Sequence, residues 1–337
     1  MRGIQAAYLL LWFCHLNHIP VITRSYTTSR TIQIMGISHY IKEIGRGKDG
    51  ARPLTREQAA DLFGQLLDGS VSDLEVGAFC IAMRIKGETA EEMAGFLDAT
   101  HARLHRIPAN AEGRITVVLP SYNGARKLPV LTPLLALLLA REGVPVLVHG
   151  TATETKRVFA SEVLALLGVP TASQVGPIAP GEVAFVPTEV LNPGLKRLLD
   201  VRRTIGLRNT AHSLVKLMNP CAGPALLLSS YTHPEYAVSM AATFALMGSH
   251  ALLLRGTEGE VVADPRRVPQ MDLFQNGERV CVQEAQGGSL ANVPDLPKEI
   301  DAASTAAYIQ AVLAGTLPVP HSIKQQVEHI LRTVSAS

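Results

Sequence analysis

Gly113-Arg114-Ile115-Thr116-Val117-Val118-Leu119-Pro120-Ser121-Tyr122-Asn123-Gly124-Ala125-Arg126-Lys127 marks the point where this chain changes its structural grammar. Ahead of it apolar residues recur at helical spacing; from Ile115 onward they fall into short β-rich runs divided by helices. Residues 115–119 read as a strand, followed by a helix at 131–140, a strand at 144–148 and a helix at 156–167. Further strands are expected at 182–186, 225–229 and 250–255, with a helix at 234–247. Parallel strands need a crossover between them, so this alternation implies an α/β domain with a mainly parallel sheet flanked by helices. Ligands of such sheets sit beyond the carboxyl ends of the strands. The turns after Leu119, Val148, Val186, Leu228 and Leu254 therefore carry the functional interest.

Upstream, residues 35–113 predict a small all-helical N-terminal domain. Thr55 and Arg56 open a run that places Ala59, Ala60, Leu62, Phe63, Leu66 and Leu67 on one stripe, and Asp68-Gly69-Ser70 closes it. Ser72 or Asp73 caps a second helix bearing Val76, Phe79, Cys80 and Met83; Thr89 and Glu92 have capping-box spacing for a third, through Met93, Phe96 and Leu97. These periodic residues read as core. Residues 1–34 differ in kind, with no acid before Glu43 and an apolar patch, Ala6 to Cys14, shorter than the roughly 20 residues a bilayer requires. Either the true start is Met35-Gly36, or the segment is a disordered or targeting extension. No membrane helix is expected elsewhere. The tail after Leu317 reads as a surface helix with Lys324 and His329 on its polar side.

The chain has 337 residues, 47% of them hydrophobic and 18% charged, enough for one large or two moderate cores. Cys14, Cys80, Cys221 and Cys281 stand apart without a C-x-x-C pair, which argues against a zinc site or a disulfide framework and suits a reducing, cytoplasmic compartment. Aromatics at 5% are too few for an extended base-stacking platform. The formal charge is only +2, yet Lys196, Arg197, Arg202, Arg203, Arg208 and Lys216 face a single acid, Asp200, within one stretch. Such a patch attracts a polyanion through its phosphates, or else forms a solvated helix face.

Among the turns, a phosphate cradle of backbone N–H groups usually needs several glycines, and the turn after Leu119 has one, Gly124. Arg126 and Lys127 hold a phosphate by side-chain charge or face solvent. His149, in His149-Gly150-Thr151, is a catalytic base or a wall residue; lacking an evident partner, it reads better as wall. His233 and Glu235 reach the ligand edge of the sheet or simply begin a capped helix, the reading preferred. Glu258 and Glu260, beside glycines and near Arg255, read as solvated or ion-paired carboxylates rather than metal ligands.

The order of helical domain, strand, phosphate turn, Gly143-Val144-Pro145-Val146 strand and His149-Gly150 turn resembles anthranilate phosphoribosyltransferase, of the glycosyltransferase family 3 and nucleoside phosphorylase-like superfamily. The likeness continues through residues 202–209, Asn219-Pro220 and residues 255–260, and covers essentially everything after Met35. It implies a degenerate pocket. The family's Gly-Thr-Gly-Gly-Asp loop falls on Pro120, Ser121, Tyr122, Asn123 and Gly124; its Asn-Ile-Ser element on Val130, Leu131 and Thr132; its Lys-His-Gly-Asn turn on Val148, His149, Gly150 and Thr151. Its magnesium-holding Asp-Glu pair falls on Val261-Val262, and two valines do not bind a hard cation. Arg202 falls on the arginine for the anthranilate carboxylate, although an arginine serves a nucleic-acid phosphate equally.

Residues 120–127, with the segment from His39 to Lys48, look closer to the YbiB-type branch of this superfamily, which shares the fold but is known as nucleic-acid-binding homodimers. The resemblance then implies sequence-tolerant DNA or RNA binding through phosphate contacts, with no catalytic residues and no cofactor. Lys196, Arg197, Arg202, Arg203, Arg208, Lys216, Arg126 and Lys127 would form the track, and Lys42, Arg46 and Lys48 would extend it. It also implies a homodimer formed through the helical domain, to which residues 192–222 return; the larger domain comprises 114–191 and 223–337. Two alternatives stand: an active transferase of phosphoribose onto anthranilate or a related amine, dependent on Mg2+, and a metabolite sensor without turnover.

Overall fold

The computed structural model describes residues 36–47, 49–288 and 294–336, within one compact unit, Met35–Ser337. The expectations for the N-terminal extension and for Lys48 fall outside the described residues. Four helices come first: α1 Ser38–Ile44, α2 Arg56–Asp68, α3 Asp73–Lys86 and α4 Ala90–His101. Thr55 with Gln58, Ser72 with Glu75 and Thr89 with Glu92 close reciprocal capping boxes at the starts of α2, α3 and α4. Such an N-cap contributes about 1 kcal/mol. Gly69, at φ 68°, ends α2. Inside, the rings of Phe63, Phe79 and Phe96 pack 4.9 to 6.1 Å apart.

The remainder runs β1 Thr116–Ser121, α5 Thr132–Arg141, β2 Val146–Gly150, α6 Ala160–Leu166, β3 Val183–Pro187, α7 Thr188–Leu191, α8 Pro193–Ile205 and α9 Ala211–Leu214. It continues with β4 Ala225–Tyr231, α10 Pro234–Met247, β5 Ala251–Arg255, β6 Met271–Gln275, β7 Glu278–Gln283, α11 Ala302–Leu313 and α12 His321–Ala336. The strands form one sheet in the order β3-β2-β1-β4-β5-β6-β7, parallel from β3 to β5 and antiparallel from β5 to β7. Strand order reverses between β1 and β4, so the loops after these two strands flank the crevice where ligands of α/β sheets bind.

Side chains alternate across the sheet as strand geometry requires. Val117, Leu119, Leu226, Leu228, Leu252 and Leu254 pack on one face with α5, α6, α11 and α12. Val118, Leu147, Leu227 and Leu253 join the other core, shared with the helical bundle. Helix α8 belongs to that bundle: Leu195, Leu198 and Leu199 are buried in its core, and Arg197 Nη2 donates to Leu67 O at 2.9 Å.

Three elements differ from expectation. The helix expected from residue 156 begins at Ala160, because Val158 and Ala125 exchange two backbone hydrogen bonds, at 2.8 and 2.9 Å, and hold that segment extended. The β6–β7 hairpin was not anticipated, although its turn residues Asn276 and Gly277, at φ 53° and 85°, are the pair a two-residue turn favours. On α12, Lys324 is exposed as expected, but His329 is half-buried with Nε2 3.0 Å from Gln283 Oε1. It packs toward β7 rather than lying on the polar side. Among the described residues no helix is long and apolar enough to cross a membrane.

Candidate functional site

The loop from Ser121 to Thr132, after β1, receives two carboxylates from the turn after β5. Glu260 is buried and accepts four hydrogen bonds: from Asn123 N at 2.9 Å, Gly124 N at 2.8 Å, Ser121 Oγ at 2.6 Å and Thr132 Oγ1 at 3.0 Å. Glu258 offers a single oxygen, Oε1, to three successive amides, Arg126 N at 3.2 Å, Lys127 N at 2.9 Å and Leu128 N at 3.1 Å. A run of converging amides of this kind is an anion nest. Here the anions are the chain's own.

The backbone is bent to make this fit. Glu258 sits at φ 51°, a left-handed conformation that non-glycine residues adopt only at a cost. Between the two acids Gly259, at φ 89°, leaves no room for a side chain: a Cβ there would lie 1.7 Å from Asn123 Nδ2. Its carbonyl accepts from Lys216 Nζ at 2.9 Å and from Ser230 Oγ at 2.8 Å. Of the two carboxylates expected to be solvated or ion-paired, Glu258 is ion-paired, with Arg157 at 3.6 Å, as well as bonded to the three amides. For Glu260 the expectation is corrected, since it is buried and its partners are amides and hydroxyls.

A diphosphate and its magnesium do not fit these residues. The amides of 123–124, on which the family's phosphate loop falls, are taken by the buried Glu260, and Val261 and Val262 lie in the apolar core with no side-chain oxygen to offer. Among the described residues no group of three or more His, Cys, Asp or Glu is arranged to hold a metal ion.

The basic stretch acquires a second acid on folding. Glu154 lies 2.7 Å from Arg202 Nη2 and 3.4 Å from both Arg208 Nη2 and Arg157 Nε. Burial works against its charge, but the Arg202 hydrogen bond and the charges of Arg202, Arg157 and Arg208 hold its carboxyl below the usual range. Arg157 also reaches Glu258 at 3.6 Å and Gly124 O at 3.3 Å. Lys196 pairs with Asp200, which Arg203 approaches to 3.5 Å while staying exposed. Lys216 is half-buried and lines the cleft between the bundle and the strand ends rather than standing free on the surface. Its ammonium is turned onto Gly259 O, and burial lowers its pKa to about 8 against the favourable charge of Glu260. Arg126, Lys127 and Arg197 are exposed, as are Lys42 and Arg46, the latter paired with Glu43 at 2.8 Å.

A cleft of about 520 Å³ opens between the bundle and the strand ends, lined by Arg84, Glu88, Asn123, Arg208, His212 and Lys216 among others. Of the residues expected in a former pocket, Asn123 alone is part of its lining. Pro120, Ser121, Tyr122, Gly124, Gly150 and His149 are buried, and Thr151 and Arg202 lie outside the lining. His149 is buried and does not line the cleft: it has no exposed surface, Nδ1 stands 2.8 Å from Tyr122 Oη, and burial pushes its pKa down to about 3. Tyr122 Oη in turn accepts from Thr188 Oγ1 at 3.1 Å. His233 precedes α10 at its N-cap position without a side-chain cap bond, and it lines the cleft, so the ligand-edge reading holds for it as well. Sequence reasoning missed Glu154, Arg157 and Glu88; Glu154 and Arg157 pair locally at i,i+3, but their other partners Arg202, Arg208 and Glu258, and the Thr210 partner of Glu88, lie far away in the chain. Glu88 accepts from Thr210 Oγ1 at 2.6 Å, and burial raises its carboxyl pKa.

A helical bundle joined to a mostly parallel sheet, with its cleft at the strand-order reversal, defines a glycosyltransferase-type architecture. The helical bundle domain of the Glycosyl transferase family matches residues 38–103. Among solved structures, anthranilate phosphoribosyltransferase (TrpD) from Thermus thermophilus superposes with TM-score 0.64 at 21% identity, covering 86% of this chain and 85% of that one. The Saccharomyces cerevisiae enzyme in complex with PRPP and Mg gives TM-score 0.62 at 15% identity, with 85% of each chain covered. Those two show the fold. By sequence the chain is 43% identical over 295 residues to the uncharacterized protein YbiB of Escherichia coli K12, covering 85% of this chain and 91% of that protein. It is also 30% identical over 277 residues to the anthranilate phosphoribosyltransferase of Methylobacterium radiotolerans, covering 79% and 78%. The chain belongs to the anthranilate phosphoribosyltransferase-like family.

Proposed function

We propose that this protein binds nucleic acid through phosphate contacts, tolerant of sequence, and does not carry out phosphoribosyl transfer. One observation carries the reading: the amides of the loop after β1 are filled by Glu258 and Glu260, while the side chains of Arg126 and Lys127 on the same loop point to solvent. The loop has turned its donors inward and its cations outward. Exposed Arg197 and Arg203 on α8, with Lys42 and Arg46 on the bundle, add charge that a phosphate backbone would meet. A second copy supports a longer track. Leu74, Ile81 and Ile85 are 83%, 38% and 59% exposed along the outer face of α3, an apolar stripe that a homodimer through the bundle would cover.

The test is fluorescence anisotropy with labelled DNA and RNA oligonucleotides at several salt concentrations. Each phosphate neutralised on duplex DNA contributes roughly −0.9 to the slope of log affinity against log salt, so about five contacts give about −4.5. Changing Arg197 and Arg203 to Ala should weaken all sequences alike. Binding indifferent to salt, or brisk consumption of phosphoribosyl diphosphate with anthranilate, refutes the proposal. The transferase alternative rests on the open cleft and on the relatives that bear the enzyme's name, and the same turnover assay decides it.

A further inference from the structure

A second cavity, of about 650 Å³, has Glu258 in its lining. Its wall includes Lys127 and Leu128, two of the three residues whose amides Glu258 occupies, together with Glu258 itself. Arg255, Arg266 and Arg267 also line it. Arg266 is committed to Asp264, with Nε and Nη2 at 2.9 and 2.7 Å from its two oxygens. Lys127 and Arg255 have no carboxylate within ion-pair distance among the described residues. Asp264 lines the cavity as well and also feels the charge of Arg267, so four cations, Lys127, Arg255, Arg266 and Arg267, face two carboxylates, Glu258 and Asp264.

We propose that this cavity is a phosphate-monoester site whose inner face the chain keeps closed with its own Glu258. A carboxylate in a nest of amides imitates a phosphate oxygen: it has the same charge sign and accepts the same N–H bonds. A monoester carries nearly two negative charges at neutral pH and matches the positive charge left unbalanced in the cavity. When it enters, one phosphate oxygen takes the amides of Arg126, Lys127 and Leu128, and Lys127 and Arg255 close on the others. Glu258 moves to the guanidinium of Arg157, 3.6 Å from its second oxygen, and does not become an unpaired buried charge. The site shares Lys127 with the polymer track, but inorganic phosphate and the amide resonances probe it without a polymer, so its test stands whether or not long nucleic acids bind.

A phosphate monoester comes either as a small metabolite or as the 5′ end of an oligonucleotide, and the experiment has an arm for each. Inorganic phosphate and adenosine 5′-monophosphate are titrated into the 15N-labelled full chain while the amide resonances of Lys127 and Leu128 are followed, with adenosine as control. Both phosphates should move these amides and adenosine should not. Glu258→Gln removes the competing charge and should tighten phosphate binding about tenfold; Lys127→Ala with Arg255→Ala should weaken it about tenfold. In the second arm a 5′-phosphorylated oligonucleotide should outcompete its 5′-hydroxyl counterpart, and the double variant should erase that preference, if the polymer end is the source. Amides that stay still under phosphate, or tightening in Glu258→Gln that survives loss of Lys127 and Arg255, overturn the proposal. The wild-type resonances decide it even if Glu258→Gln does not fold.

Discussion

Replacing Glu260 with alanine tests whether the loop after β1 is held by an internal anion. The change deletes the acceptor for Asn123 N and Gly124 N and for the hydroxyls of Ser121 and Thr132, all buried. Hydroxyls rotate toward other acceptors, but the two amides are fixed by the chain and stay unpaired. A buried donor left without a partner costs about 1–3 kcal/mol, so the pair costs about 4 kcal/mol. Lys216 adds to this, since the Glu260 carboxylate favours its charge against the effect of burial. With a urea slope of about 3 kcal/mol/M, the unfolding midpoint should fall by about 1.3 M. Glu260→Gln keeps an oxygen for the amides and should lose less than half as much. A midpoint for Glu260→Ala within about 0.3 M of wild type would refute the reasoning, because the amides would then have another partner.

Acid should destabilise the protein over a defined window. Burial lowers His149 to about 3, and His101 and His212 to about 4, from an ordinary 6.5. Between about pH 6.5 and 4 the unfolded chain binds protons that the native state refuses, so stability falls as pH falls, by about 2 kcal/mol per histidine at pH 5. Urea midpoints measured from pH 7 to 4.5 check this, and His149→Asn should flatten the slope. Gly194→Ala places a Cβ 2.1 Å from Leu67 O, so α8 must lift from α2; a loss of about 3 kcal/mol is expected from overpacking and is read by the same denaturation. Glu154→Gln frees Arg202, Arg208 and Arg157 from their shared carboxylate. Nucleic-acid affinity should rise and the salt slope should steepen by about 0.9 for each guanidinium that gains a phosphate.

The parts of the fold legible in the sequence are those governed by local chemistry. Thr55, Ser72 and Thr89 cap helices with partners three residues away, and the runs at Thr116, Val146 and Ala225 are apolar because both faces of a parallel sheet are covered. Valines in place of magnesium ligands were equally plain. Pairings across long intervals were not legible. Glu258 meets the amides of 126–128 across some 130 positions, and Glu154 meets Arg202 across 48. A count of charges between Lys196 and Lys216 therefore overstated the free positive charge, and nothing near Lys216 announced that its ammonium would turn inward. The missed hairpin is a different case: Asn276-Gly277 was visible, and its flanking strands alternate too weakly, with Glu278 to Cys281 all exposed, to stand out beside the buried strands.

Because α8 arrives from beyond β3 to complete the bundle, the helical layer is built from two distant lengths of polypeptide. A recombinant piece ending near residue 103, although it spans the whole matched family segment, would leave the groove over Leu67 open and its greasy lining wet. Such a fragment should aggregate or recruit the missing helix when it is supplied in trans. Split reporters and truncation libraries made from this protein need a cut that keeps the two lengths together.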